Sequence, residues 1–204
     1  MSVPLYQRVE EANFKLQHWG WCDLHKANTL AAMVVALRPK LACEIGVFGG
    51  RSLIAIALAM KDNGAGKIIG IDPWSKEAAL EGMNDPANIK WWSELDYEKV
   101  RETCLATLRE FGVESQVEII RSKSDDVDPS QWVLDLGHID GSHEETAYRD
   151  TIRFAPSLRV GGLWIMDDIG WVSGAPKRGV EWLLANGFVE LYPLGTGAVF
   201  QRMQ

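Results

Sequence analysis

The sequence predicts an α/β fold, a mostly parallel sheet with helices on both faces. Three observations carry this. Short runs that are apolar throughout alternate with helical patterns. Those runs stop at glycine, at Asp-Pro or at paired acids. No repeat, low-complexity tract or composition shift interrupts the alternation over 204 residues, a length that suits one domain with a substantial core.

The elements follow in order. Residues 5–18 read as a helix, and a second runs through "HKANTLAAMVVAL" to stop before Pro39. "LACEIGVF" (41–48) is a continuous apolar strand broken by Gly49-Gly50, "RSLIAIALAMK" an apolar helix, and "NGAG" the turn that closes it. "KIIGID" (67–72) is the second strand, stopped by Pro73. Residues 75–94 read as irregular, with Gly82, Asn84, Pro86 and the pair Trp91-Trp92. A helix fits 95–111, with Gly112 as its cap. "VEIIR" (117–121) and "LDLGHID" (134–140) are the next strands. A helix beginning near Ser142 carries "EETAYRDTIRFA" to Pro156. "GLWIMDD" (162–168) is the fifth strand, "APKRGVEWLLANG" a helix with a glycine cap, and "FVELYPL" with "GAVFQRM" a closing hairpin.

Composition bounds the partners. Net charge is −7 with no Lys/Arg cluster, which argues against nucleic acid. No apolar run approaches the ~20 residues of a membrane span. The N-terminus lacks the apolar stretch of a signal peptide, so a cytoplasmic location is expected. Cys22, Cys43 and Cys104 are scattered, without CxxC spacing, and read as free thiols in a reducing compartment. Nine tryptophans are far above ordinary usage and suit a core, an interface or the walls of a small-molecule pocket. An amphipathic N-terminal helix beside Trp19 and Trp21 points to a homodimer.

Four acids, Asp72, Asp140, Asp167 and Asp168, fall at strand C-termini, the edge where open α/β sheets bind ligands. "EIGVFGGRS" (44–52) bends from strand to helix through Gly46, Gly49 and Gly50, which lets backbone approach a ligand and opens helix N–H groups to it. The spacing is not GxGxxG, and a P-loop lysine is lacking. Asp72 lies near the ~20-residue offset at which an acid takes ribose hydroxyls. With the glycine loop and Glu44 it favours a nucleoside-type ligand over a plain Asp-Pro turn. Asp140 and Asp167-Asp168 end consecutive strands, expected side by side. A hard cation such as Mg2+ would relieve the repulsion between them, the alternative being helix caps and a polar turn. His143, three residues past Asp140, suits a general base, a further ligand or an exposed cap. His138, inside an apolar strand, reads as a buried, hydrogen-bonded histidine. His18 and His25 read as surface or packing residues.

"CEIGVFGGRS", "IIGIDPWS", "HIDGSHEETAYRD" and "GGLWIMDDI" together resemble class I S-adenosylmethionine-dependent methyltransferases. Among these they are most similar to small metal-dependent O-methyltransferases: the catechol and caffeoyl-CoA type, and the macrolide-sugar and cephalosporin-pathway relatives that modify natural products. The resemblance covers residues 25–170. It implies a Rossmann-like sheet of seven strands with the last antiparallel, and a methyltransferase domain over 25–204 behind an N-terminal helical extension, 1–24.

By resemblance, Glu44, Gly46, Gly49 and Ser52 serve the methionine end of the cofactor and Asp72 its ribose, with Pro73 and Trp74 beside it. Ser124, or Lys123 on a one-residue slip, serves the adenine. Asp140, Asp167 and Asp168 fall on the three metal positions, and Asp140 also borders the cofactor. His143 stands where the catechol enzymes place a catalytic lysine, so the base is either His143 or Asp140. The implied reaction is methyl transfer from S-adenosylmethionine to a small-molecule hydroxyl, assisted by Mg2+. Trp74 and Trp91-Trp92 suit either pocket walls or packing. Three other readings stay open: a metal-independent methyltransferase, a metal-dependent hydrolase using the same acids, and a cofactor-binding partner without catalysis.

Overall fold

Strands that are buried on both faces must be covered on both faces, and the chain does this with two helical layers. A computed structural model describes residues 3–204; Met1 and Ser2 of the expected N-terminal extension lie outside the described residues. The strands are β1 (Leu41–Ile45), β2 (Lys67–Ile71), β3 (Val117–Ile120), β4 (Leu134–Ile139), β5 (Leu158–Met166), β6 (Phe188–Leu194) and β7 (Gly197–Arg202). They form one seven-stranded sheet in the order β3-β2-β1-β4-β5-β7-β6. β1 to β5 pair in parallel, and β7 is antiparallel to both its neighbours, as the sequence predicts.

The helices are α1 (Leu5–Lys15), α2 (Leu24–Leu37), α3 (Arg51–Asn63), α4 (Lys76–Ala79), α5 (Pro86–Glu94), α6 (Tyr97–Glu110), α7 (Glu145–Phe154) and α8 (Ala175–Ala185). One core layer joins α1, α2, α3 and α6 to the sheet through residues such as Leu16, Leu30, Val34, Ile56 and Leu108. Helix α3 is buried at every position from Ser52 to Met60 because it lies between the sheet and α1/α2. The other layer packs Phe154 of α7 and Leu183 of α8 on Trp164, Met166 and Phe200. The residues expected as an N-terminal extension therefore share the main core: Val9, Ala12 and Leu16 are fully or nearly buried there.

Several boundaries differ from the sequence reading. α1 stops at Lys15, not at 18, and β1 at Ile45 because Gly46 turns the chain at φ +89°. α7 starts at Glu145, after a bend. β5 begins four residues early, at Leu158, and its pairing with β4 slips between Leu134 and Leu136 around Gly161-Gly162. The 75–94 segment is not irregular: it holds α4 and α5, the second capped by Asp85, which accepts from the Asn88 amide (2.8 Å), with Pro86 at its first position.

The chain reverses direction of strand order between β1 and β4, and this is the switch point at which such sheets open a crevice. The Asp140 amide donates to Ile45 O (2.9 Å), which fixes the two strand ends together. Deeper in the sheet, the Trp164 ring of β5 lies directly over Gly137 of β4, where any Cβ would strike it. Trp164 is 1% exposed and has no room to move. Gly137→Ala is expected to lower stability by about 1–3 kcal/mol through overpacking, measured by urea unfolding; an unchanged midpoint would show that the ring yields freely.

Candidate active site

The carboxyl ends of β1, β2, β4 and β5 surround a cleft of about 550 Å³, within the range of small-molecule sites. Its wall includes Gly46, Asp72, Ser124, Asp140, His143 and Asp168. Among the described residues, four non-glycines have positive φ, and three of them sit on this edge: Phe48 (48°), Trp74 (42°) and Asp168 (49°). Left-handed non-glycine backbone persists only where neighbours hold it, and it gathers at ligand sites.

The β1–α3 loop shows what does the holding. Asp72 accepts from three backbone amides, Val47 (3.0 Å), Phe48 (2.9 Å) and Trp74 (2.7 Å). Burial pushes its carboxyl up, and those amides oppose the shift. The Trp74 indole donates to Phe48 O (2.9 Å) and is 3% exposed, so it packs behind the loop. Gly46 is required where it stands, since a Cβ would run into the Asp140–Gly141 backbone. Of the residues assigned to the cofactor from sequence, Gly46, Ser52, Asp72, Pro73, Ser124 and Asp140 line the cleft. Glu44, Gly49 and Trp74 do not, and stand in the layer behind it, Glu44 because it is fully buried and Gly49 because it is packed on Trp19.

That layer contains a continuous polar chain. Glu44 accepts from the Ser52 hydroxyl and faces His138 Nδ1 (3.1 Å); His138 Nε2 faces Asp167 (3.0 Å); and Asp167 in turn pairs with Lys26. Burial raises Glu44 to about 8 and lowers His138 to about 3, Lys26 adding to the second shift. Near neutral pH the consistent proton placement follows from these directions. Protonated Glu44 donates to Nδ1 of neutral His138, whose Nε2–H donates to the Asp167 carboxylate. His138 is thus the buried, bonded histidine that the sequence suggests.

Lys26 is the residue that sequence reasoning missed. It lies in the first turn of α2, where Asp23 caps its amide (2.7 Å), and its ammonium pairs with both Asp167 and Asp140, the latter at 3.1 Å. It is 9% exposed. A lysine in the first turn of a helix works against the helix dipole, and that was the available signal. Asp150 was also missed: it is buried beside Ser124, one carboxylate oxygen has no partner, and burial raises it to about 7.

The three aspartates expected to hold a metal do not gather into one group. Asp140 with His138 and Asp167 forms one cluster of donor atoms, and Asp140 with His143 and Asp168 another. Asp168 turns to His143 (Oδ2 to Nε2, 2.6 Å), which holds its carboxyl below the usual range. Asp167 has one oxygen engaged by Lys26 and His138, and the other is buried at Gly197. An ammonium thus stands between Asp140 and Asp167, so the residues as arranged do not fit a divalent ion shared by all three aspartates.

Aromatic rings close the cleft mouth. Trp21 stacks on Phe48 (5.9 Å, 23°), and Trp91 meets Trp92 edge to face (4.9 Å, 86°) within reach of both. Trp21 and Trp92 both line the cleft, Trp21 with 69% of its surface exposed, whereas Trp91 does not line it. The three cysteines are free and buried, and no described helix is long and apolar enough to cross a membrane.

Residues 43–169, over half the chain, match the family model described as a methyltransferase domain. No curated protein matches the chain in sequence. Solved structures share its fold. The O-methyltransferase TomG from Streptomyces achromogenes, involved in tomaymycin synthesis and solved with SAM, aligns over 100% of this chain and 92% of its own, at 15% identity and a TM-score of 0.69. The SAH-bound Podospora anserina methyltransferase PaMTH1 aligns over 100% and 90%, at 15% identity and 0.68. The Bacillus cereus O-methyltransferase in complex with SAH aligns over 100% and 92%, at 13% identity and 0.66.

The buried chain sets a pH dependence. From about pH 3 to 6.5 the unfolded state carries a His138 proton that the native state lacks, so stability rises with pH. From 4.5 to about 8 the native state carries a Glu44 proton that the unfolded state lacks, so stability falls. The two cancel between 4.5 and 6.5; Asp150, raised to about 7, adds a loss of its own up to that pH, and the Glu44 loss continues above 6.5, reaching about 2 kcal/mol by pH 8. Glu44→Gln, which can still donate to His138, is expected to abolish that alkaline loss in urea unfolding at pH 6.5 and 8. An equal loss in both proteins would refute the proton placement.

Proposed function

Because this chain belongs to the methyltransferase-domain family, we propose that it moves a methyl group from S-adenosylmethionine to the hydroxyl of a small molecule bound in the cleft. The single observation that carries the reading is the His143–Asp168 pair, which opens on the same cleft as Gly46 and Asp72. Support for the cofactor comes from the fold shared with SAM- and SAH-bound enzymes and from a cleft at the switch point that Gly46, Asp72 and Ser124 line.

The cofactor supplies a methyl already activated on a sulfonium. The cofactor would be held at the Gly46 turn, with Asp72 available to its ribose and Ser124 and the unpartnered Asp150 Oδ1 to its adenine. What remains is to align an oxygen with the methyl and to remove its proton. His143 does the second. Its Nε2–H donates to Asp168, its ring lies against Trp171 (4.6 Å), and Ser173 anchors its carbonyl, so Nδ1 is left as the acceptor. With the cofactor bound, its methyl would pass from sulfur to the substrate oxygen and leave a neutral thioether, while Nδ1 takes the oxygen's proton. Asp168 fixes the tautomer and stabilises the imidazolium that forms. Asp140, paired with Lys26, positions groups at this edge and leaves the base role to His143. No step is routed through a divalent ion.

Calorimetric titration with SAH tests the cofactor. Micromolar binding is expected, weakened at least tenfold in Asp72→Asn; no binding would sink the methyltransferase reading. His143→Ala is expected to lower kcat by about 10²–10⁴ in SAH-release assays with catechol and sugar-hydroxyl acceptors, with SAH affinity unchanged. Full activity in that variant would remove His143 as the base.

A further inference from the structure

We infer that Lys26 is the resident cation of the acidic strand ends: its ammonium stands where a divalent ion bridging Asp140 and Asp167 would have to stand, and methyl transfer proceeds without a metal there. This rests on the methyltransferase reading and deepens it.

Two like charges at neighbouring strand ends need a counter-charge, and the chain brings its own. The first turn of α2 delivers Lys26 from the helical layer that packs on the sheet, with Asp23 fixing that turn. Its ammonium is nearly buried and contacts both carboxylates at once. An ion at the same point would have to displace the ammonium from both carboxylates. Of the other carboxylate oxygens, Asp167 Oδ1 is buried with no hydrogen-bond partner. The free oxygen of Asp167 is buried at Gly197, and Asp168 is turned away to His143.

The ammonium also has chemistry left over. It carries three donors, two of which go to Asp140 and Asp167. The third is available to the cleft that Lys26 lines. A fixed positive charge there stabilises negative charge developing on an acceptor oxygen as His143 takes its proton, the service a metal would otherwise give. Lys26 and His143 then divide the work: one holds the oxygen, the other deprotonates it.

The test is Mn2+ titrated into the full chain with SAH bound, read by electron paramagnetic resonance and calorimetry, beside turnover in EDTA. The wild type is expected to show no saturable Mn2+ site up to millimolar metal, and its turnover to change less than twofold with chelator. Lys26→Met, which keeps the length and loses the charge, is expected to gain one Mn2+ site that Asp167→Asn in the same protein removes, and to lose at least a hundredfold in kcat without added metal. A wild-type site of one Mn2+ lost in Asp140→Asn or Asp168→Asn, or turnover abolished by EDTA, overturns the inference even if Lys26→Met does not fold. A folded Lys26→Met protein that gains no site overturns the role given to Lys26. Failure of SAH to bind is read separately and falls on the methyltransferase reading alone.

Discussion

The structure turns on the neutralisation of carboxylates where β1, β4 and β5 end. An ionised group withdrawn from water is costly unless it is paired and hydrogen-bonded. Here the solution is a line of partners: Ser52, Glu44, His138, Asp167, Lys26 and Asp140. It crosses from α3 through three strands to α2, so it ties both the sheet and one helical layer to the floor of the cleft. Glu44 stays protonated and His138 neutral because neither could be charged so deep. Lys26 supplies the counter-charge that stands against Asp167. Removing any one member leaves another unsatisfied, which makes the line a single unit.

Above that floor the backbone is held under strain. Phe48, Trp74 and Asp168 have left-handed φ, and each is fixed by a specific contact: the Asp72 carboxylate on the Phe48 and Trp74 amides, the Trp74 indole on the Phe48 carbonyl, and His143 on Asp168. Such conformations cost of order 1–3 kcal/mol each, and they are tolerable because the buried line beneath does not move. The rigid floor and the strained rim together present Asp72, Asp140 and His143 in fixed relation to one another, which is what aligning two reactants demands.

How much of this was readable in the sequence differs by element. β1, β2 and β4 were plain, because strands buried on both faces leave continuous apolar runs with few alternatives. β5 was cut short, because Gly161-Gly162 interrupts the run at the point where its pairing slips. The 75–94 segment reads as irregular although Asp85-Pro86 is a helix start; α5 buries none of its residues, so no apolar stripe marks it. In the site, single residues were visible and their partners were not. Asp140 and Asp167-Asp168 stood out as strand-end acids, and His143 by its spacing. Lys26 lies 114 and 141 positions from its two aspartates, and nothing local distinguishes it from a surface lysine except its place in a helix's first turn.

That distance in sequence explains why a pattern of acids pointed to a metal. Three aspartates at strand ends state only that positive charge is needed, and a divalent ion and a buried ammonium answer that need equally well on paper. The fold separates them by geometry. A metal requires several oxygens converging on one point, whereas an ammonium requires only donors aimed at separate acceptors. Asp168 facing His143 and Lys26 set between Asp140 and Asp167 suit the second requirement, which is the ground on which Lys26 is inferred to be the resident cation. The turn of Asp168 toward His143 is what orients that ring, so the base proposed for the reaction depends on a strand-end acid whose charge is visible in the sequence and whose partner is not.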